Sequence, residues 1–587
     1  MAKKTSRHGV TAPAAPALPS IPWASVCLFG VAALLFLPVW GFDFLIWDDN
    51  RHLLENPSVL APSLDNALGF WKAPYFNLYV PLTYNAWQAL ALVGRTAEAP
   101  LEPWLFHLVN VLFHALNVTL AYRALLFLFR ARNPMVSNMP AFLGALLFSV
   151  HPLQVAAVGW ISGFRDLLGA FFLLLSLLLH LRAGHPTRHA LWLRGGSLLA
   201  FFLSLSAKPA GAVLPLLLLL LDFWAFRRPL LQAFKKGLAH WAIAVPFAIL
   251  TKATQPNTLL EFVTPWQQRP WVALDALGFY LYKWCWPLAL GPDYGRPPRV
   301  VLASAWTLLS VVAVLIAVWG ATRLYSRFPE LAMGGAFFAG ALLPVLGFVP
   351  FIFQAYSTVS DNYVYLPMLG FAWAFGALPL RWSKTHLALW TCALALLAFT
   401  VRSGFQLQHW RNNETFLKNA LLVNPQSSAL IANFAITLQK QGKKEEALAL
   451  YQQSLAITPN DPTPFNAMAN LLLELGRYDE VIAQLEPYLQ RTRPNEMLME
   501  ILSRMRTNLG AAYYRKGNRG RAQTEIVEAI RLFPGNSRAH SNLGALYFEE
   551  NRFQDAAAAF EKALALEPNN PEFRQNLELS RQRQAAP

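Results

Sequence analysis

Asp48 and Asp49 stand side by side a few residues beyond the first apolar run, in the phrase GFDFLIWDDNRHLLENP. A carboxylate placed where a membrane span meets water can take the proton of a hydroxyl that attacks a membrane-borne substrate. Adjacent carboxylates repel, so one of a pair has a raised pKa. That divides the roles: one residue acts as base, the other as an orienting group or as ligand to a divalent cation, magnesium or manganese, if the reaction needs one. A DD pair in isolation is usually a cap or a solvated charge; position and company give this one its meaning. An anionic leaving group needs cationic or donor groups opposite it. Arg165 and Lys208 sit at the ends of apolar runs, with Asp166 next to Arg165, where interfacial snorkelling is the competing reading. His107, Asn110 and His114 fall at i, i+3 and i+7 on one face of the second apolar run. Polar groups within a span are costly and face the bundle interior, so these three either line a donor cavity or bond between helices. Asp293, Tyr294, Tyr363 and Tyr365 are candidates for the mouth of the site, where aromatic residues also anchor a protein at the interface.

The elements that must position these residues are membrane helices. Of 587 residues, 55% are hydrophobic and only 14% charged, against about 25% charged in a soluble domain. Apolar runs long enough to cross roughly 30 Å of hydrocarbon recur near 23–41, 104–129, 139–158, 166–182, 190–206, 210–226, 237–253, 301–321, 330–352, 363–380 and 384–401. Residues 1–22 read as a basic, Pro/Ala-rich cytoplasmic leader, and Trp23–Trp40 as a retained anchor rather than a cleaved signal. The net charge of +16 sits largely in short loops between spans, the positive-inside pattern, so it argues for membrane topology and against nucleic-acid binding. The loop 42–103 is acidic and is assigned to the outside. The segment 271–290 is long enough to span but carries Asp275, Lys283 and Pro287; the charge rule favours an interfacial or re-entrant path. The acidic pair and everything beyond residue 402 then lie on one side. The three cysteines, Cys27, Cys285 and Cys392, form neither a disulfide framework nor a zinc pattern.

From Trp410 the composition turns polar and a period of about 34 residues appears. Ala435, Gly442, Tyr451 and Pro459 mark the first repeat, Ala469 and Gly476 the second, Gly510, Ala522 and Pro534 the third, Gly544, Ala556 and Pro568 the fourth. This is the tetratricopeptide pattern: four helical hairpins over 428–587 with a polar capping helix, preceded by a linker helix at 402–427. Such an array offers a concave groove for a protein or peptide, the expected use here; dimerising and bracing a neighbour are the competing uses. The fold class is therefore all-α, a polytopic membrane domain over 23–401 followed by an α-solenoid.

The phrases DDNRHLLENPSVL, YVPLTYNAW, FHLVNVLFHALN, HPLQVAAVGWISGFRDLLGAF, AKPAGAVLPLLLLLLDFW, LYKWCWPLALGPDYGRPP, SDNYVYLPMLGF and WRNNETFLKNALLVNP follow in order. As an ordered set, this resembles the transmembrane and tetratricopeptide repeat-containing O-mannosyltransferases, over nearly the whole chain from about residue 40. The resemblance implies a GT-C type membrane glycosyltransferase with a polyprenyl-phosphate sugar donor, an acidic catalytic pair in the first outer loop, and a Ser/Thr hydroxyl on a protein acceptor. There are departures. Ala156 stands where the animal members have an acidic residue, Asp361-Asn362 stands where they have Glu-Arg, and Arg165 directly precedes Asp166. The expectation is transfer of one sugar to a protein on the periplasmic face of a bacterial inner membrane, with the N-terminus cytoplasmic. Two alternatives stand beside it: the same chemistry on a lipid or surface glycan, and a membrane-anchored scaffold for envelope assembly.

Overall fold

The computed structural model describes residues 23–94, 101–255, 262–381, 385–494 and 498–585; the expected leader, 1–22, lies outside them. Two compact units emerge, Met1–Pro425 and Gln426–Pro587. Among the described residues the regular elements are all helices, and the one bridge pairs Tyr75 with Leu78.

In the first unit, seven helices are long and apolar enough to cross a membrane, and a pair bent by 52°, Met139–Val150 with Pro152–Gly159, makes an eighth candidate. The protein is a multi-pass membrane protein. Pro152 lacks an N–H and disfavours helix at the residue before it, which accounts for the bend. Three other expected spans correspond to Leu230–Thr254, Pro329–Leu342 and Met368–Arg381. The ambiguous segment forms the 17-residue helix Arg269–Cys285, and its buried Asp275 is neutralised by Arg296 at 2.6 Å.

Helices without a hydrophobic force between them approach through small residues. A Cβ at Gly376 would meet the carbonyl of Pro140, one at Gly144 the carbonyl of Ala372, and Gly334 and Gly370 face each other in the same way. Because the obstacle is backbone, the helices would have to separate. Gly376→Leu should therefore lower the unfolding midpoint of the detergent-solubilised protein, by at least the 1–3 kcal/mol typical of overpacking, as read by thermal denaturation beside Gly195→Leu, where nothing lies within 4 Å.

The long helices have two chemically different ends. Phe164–Ala183 begins at Arg165 and Asp166 and ends at Arg182; Leu214–Phe226 follows Lys208 and leads into Arg227 and Arg228. At the basic end Arg228 pairs with buried Asp222 at 2.9 Å and Arg381 with Glu330 at 2.6 Å. The candidate site residues belong to the other end.

The second unit contains the four expected hairpins. They are Ser428–Lys440 with Lys444–Ile457, Pro462–Glu474 with Tyr478–Arg491, Met499–Arg515 with Arg519–Leu532, and Ser537–Glu549 with Phe553–Leu566, closed by Pro571–Ala585. The small residues explain the close packing: a Cβ at Gly510 would stand 2.7 Å from Ile526 and one at Gly544 2.9 Å from Phe560. The turns of the first three hairpins carry Gly442, Gly476 and Gly517 at φ of 81°, 73° and 80°, a conformation that glycine adopts without steric cost.

Candidate active site

The carboxylate pair is held by a turn between two helices. Ile161–Gly163 makes a single tight turn before Phe164–Ala183, and it is tight because Gly163 lies where a Cβ would strike the Ala157 carbonyl. Asn110 pins this turn from the neighbouring helix, donating to the carbonyls of Trp160 at 2.8 Å and Val158 at 3.3 Å. The turn presents Ser162 to Asp49. One Asp49 oxygen accepts from the Ser162 amide at 3.0 Å and the Ser162 hydroxyl at 2.5 Å; the other accepts from the Leu45 amide at 2.9 Å. Asp49 is fully buried, and burial pushes its carboxyl up to about 7 against the pull of those donors.

Asp48 is placed differently. Its backbone has φ of 74°, a left-handed conformation that costs a non-glycine residue on the order of 1–3 kcal/mol and is found where function constrains the chain. Its side chain is 42% exposed and meets Arg165 at 3.1 Å. Arg165 also donates through Nε to the Ser162 carbonyl at 3.0 Å and lies over the Trp160 ring at 5.5 Å. A guanidinium has five N–H donors, so these two bonds leave three for a ligand. Asp166, next in the chain, is buried and pairs with Lys208. Its second oxygen accepts from Asn362 at 3.3 Å, and the Lys208 ammonium lies 5.8 Å from the centre of the Tyr363 ring. Asp166, Lys208, Tyr363, Tyr365, Leu173 and Val345 line a narrow cleft. Asp48, Asp49, Arg165, Asp166, Lys208 and Tyr363 thus form one continuous constellation.

The other expected residues serve the walls. His114 bonds the Tyr365 hydroxyl at 2.9 Å and the Ser149 carbonyl at 3.2 Å, and Asn117 donates to the same hydroxyl at 3.1 Å. His107 packs edge-on against Phe42 at 6.0 Å. On the 107–114 face, Asn110 and His114 bond to neighbouring elements, and His114's partner Tyr365 also lines the cleft. Asp293 is a loop brace, accepting from the Gly295 amide at 2.8 Å and from Asn424 at 3.0 Å. The Tyr294 hydroxyl donates to buried Asp361 at 2.6 Å, whose carboxyl burial pushes up to about 7 against the pull of Tyr294 and Lys283. Among the described residues no three His, Cys, Asp or Glu side chains converge as a metal site, and the pair faces N–H, O–H and guanidinium donors. Ser162 and Asn362 are the contacts that sequence reasoning did not assign. Ser162 lies four positions before Asp166 with no periodic pattern to single it out, and only the fold brings it to Asp49.

Tetratricopeptide family models match residues 438–483 ("TPR repeat") and 507–571 ("Tetratricopeptide repeat"). The similarity runs through the membrane unit as well. The mouse protein O-mannosyl-transferase TMTC4 is 24% identical over 508 residues, covering 73% of this chain. The chain is a homologue of the transmembrane and tetratricopeptide repeat-containing protein O-mannosyltransferases. Protein O-mannosyl-transferase Tmtc3 of Drosophila melanogaster is 24% identical over 74% of this chain, and human TMTC3 23% over 72%. The chain spans 66% of the mouse relative's length, 54% of the fly's and 50% of the human one's. Among solved structures, MamA protein (17% identity, 27% of this chain and 84% of that one, TM-score 0.23) and YrrB, "a TPR protein with an unusual peptide-binding site" (19%, 28% and 81%, 0.23), resemble part of it. Against the O-mannosyltransferase pattern, the Asp361-Asn362 departure splits in two: Asn362 turns to Asp166, whereas Asp361 turns inward to Tyr294.

Proposed function

We propose that the protein is a membrane glycosyltransferase that moves a sugar, mannose by analogy with its relatives, from a polyprenyl-phosphate carrier to a Ser/Thr hydroxyl of a protein. The observation that carries this reading is the Asp48–Arg165/Asp166–Lys208 constellation at the non-basic end of the helices. The bond from the sugar's anomeric carbon to the phosphate oxygen breaks, through a transition state with oxocarbenium character. The electron pair leaves with the polyprenyl phosphate, the hydroxyl oxygen bonds the anomeric carbon, and its proton passes to a carboxylate. Asp48 is that base: it is the accessible member of the pair, whereas Asp49 is occupied by donors on both oxygens. The unused N–H groups of Arg165 and Lys208 face the departing phosphate.

The basic ends of the helices belong to the cytoplasmic face under the positive-inside rule. The constellation then opens on the lumenal or periplasmic face, and the repeats supply the acceptor's docking groove. The test is incubation of proteoliposomes containing the full chain with labelled polyprenyl-phosphate mannose and envelope or lumenal proteins, read by glycopeptide mass. Label in the protein fraction supports the reading. Label in lipid or glycan alone leaves the chemistry and removes the protein acceptor. No label anywhere overturns it.

Asp49 gives the reaction its pH dependence. Its carboxyl is raised from 3.8 to about 7, so in the folded protein it is protonated below pH 7 and ionised above. Protonation puts an O–H where N–H and O–H donors already point, which disturbs the loop bearing Asp48. Transfer should therefore fall as pH drops through about 7. The folded state holds this proton more tightly than the unfolded one, so Asp49's own contribution to stability moves the opposite way, greatest below about pH 4 and lost as pH rises through 7. A rate–pH profile run beside a stability–pH profile separates the two.

A further inference from the structure

Residues 42–45 carry the chain into the carboxylate pair with no helix or strand of their own. What holds them comes from 370 residues downstream, roughly, in the segment WRNNETF that precedes Pro425. The Asp43 amide donates to the Arg411 carbonyl at 3.0 Å, and the Ile46 amide to the Asn413 side-chain oxygen at 2.6 Å. The Trp47 ring lies 6.3 Å from Phe416, and its carbonyl accepts from Trp160 at 2.9 Å on the other side. Trp410 in turn stacks on Trp160 at 6.3 Å. The segment leading to Asp48 is thus clamped between the turn that carries Ser162 and Arg165 and the residues Trp410–Phe416.

The two asparagines divide the work. Asn412 caps the helix Asn413–Val423: its side-chain oxygen accepts from the Thr415 amide at 3.0 Å. That leaves the Asn413 side chain free of any duty to the helix, and it turns off the helix to Ile46, two residues before Asp48. Asp48 keeps its left-handed backbone only while its neighbours are fixed, and a base displaced by about 1 Å loses on the order of 100-fold in rate.

We infer that Asn413 is a positioning residue for the Asp48–Asp49 pair, acting through the Ile46 amide, so that the segment Trp410–Phe416 is part of the reaction apparatus and not only a tether to the repeats. The catalytic part rests on the transferase reading; the positioning part is tested separately.

The experiment uses the full chain in proteoliposomes with polyprenyl-phosphate mannose, comparing wild type with Asn413→Ala, Asn413→Leu and Asn413→Asp. It reads kcat, KM for the donor, the unfolding midpoint, and amide hydrogen exchange of the peptide covering residues 42–49. Alanine and leucine remove the acceptor; aspartate keeps one. The expected result is a kcat lowered about 10- to 100-fold in the first two variants, with donor KM and unfolding midpoint unchanged, faster exchange around Ile46, and recovery of most of the rate in Asn413→Asp. A wild-type kcat in Asn413→Ala, or unchanged exchange in 42–49, overturns the inference. So does a rate loss that follows a fall in the unfolding midpoint and is not recovered by aspartate. If the wild type itself transfers no sugar, the transferase reading falls, and the exchange comparison alone decides whether Asn413 orders the carboxylate segment.

Discussion

Asp48→Asn is expected to cut sugar transfer by about 10²- to 10⁴-fold, the usual contribution of a positioned general base, in a protein that still folds and reaches the membrane. The substitution keeps shape and removes the base that the proposed mechanism assigns to the attacking hydroxyl's proton. The left-handed backbone at residue 48, with φ of 74°, tolerates Asn as well as Asp. The ion pair to Arg165 is 42% exposed on the Asp48 side, where such pairs are worth no more than about 1 kcal/mol, so its loss does not threaten the fold. Rate and stability therefore separate at this residue. They do not separate at Asp49: there an amide would turn an N–H₂ toward the donors of Leu45 or Ser162, and both rate and folding should suffer. Single-turnover transfer and thermal unfolding of the two variants check the difference. Asp48→Asn at wild-type rate would remove the general-base role and bring the scaffold alternative forward.

The architecture was legible because it is written in periodicity. The tetratricopeptide hairpins need small residues where helices touch, and Ala435, Ala469, Gly510 and Gly544 announce them. The apolar runs announce the bundle in the same way, with less precision. Leu230–Thr254 and Arg269–Cys285 carry Lys and Asp side chains that a hydropathy count cannot place as buried, paired or interfacial. The structure resolves one of them by seating Arg296 on Asp275.

The candidate site was legible only in part, for a different reason. Asp48, Asp49, Arg165, Asp166 and Lys208 are charged residues at the edges of apolar runs, so their chemistry stands out locally. What they contact does not. Ser162, Asn362 and Asn413 are ordinary polar residues whose partners lie 113, 196 and 367 positions away, and no local rule reports such separations. The 107–114 face shows the converse. Its spacing correctly marks an inward-facing stripe, but spacing cannot tell a cavity lining from a brace, and the bonds of Asn110 and His114 go to backbone carbonyls and Tyr365. The doublet Asn412–Asn413 did carry a signal, since one asparagine suffices to cap a helix and the second needs another purpose.

Lys208→Met brings the other large effect, and it requires a partner variant to interpret. Lys208 neutralises Asp166, which is 7% exposed. Removing one member of a buried pair leaves an uncompensated charge and costs about 3–5 kcal/mol, so the single variant should lose stability and activity together. The double variant Asp166→Asn/Lys208→Met removes both charges. An asparagine can still accept from Asn362, so the double variant should regain most of the unfolding midpoint. On the proposed mechanism it should not regain transfer, because the cation assigned to the departing phosphate is still missing, a loss of about 10²- to 10³-fold in kcat. Arg165→Lys makes the complementary case: it keeps the charge but not the planar fork that spans Asp48 and the Ser162 carbonyl and, on the proposed mechanism, meets the phosphate. Recovery of both stability and rate in the double variant would mean that Lys208 exists to neutralise Asp166. Recovery of stability alone separates the two duties of this lysine and assigns the second to the leaving group.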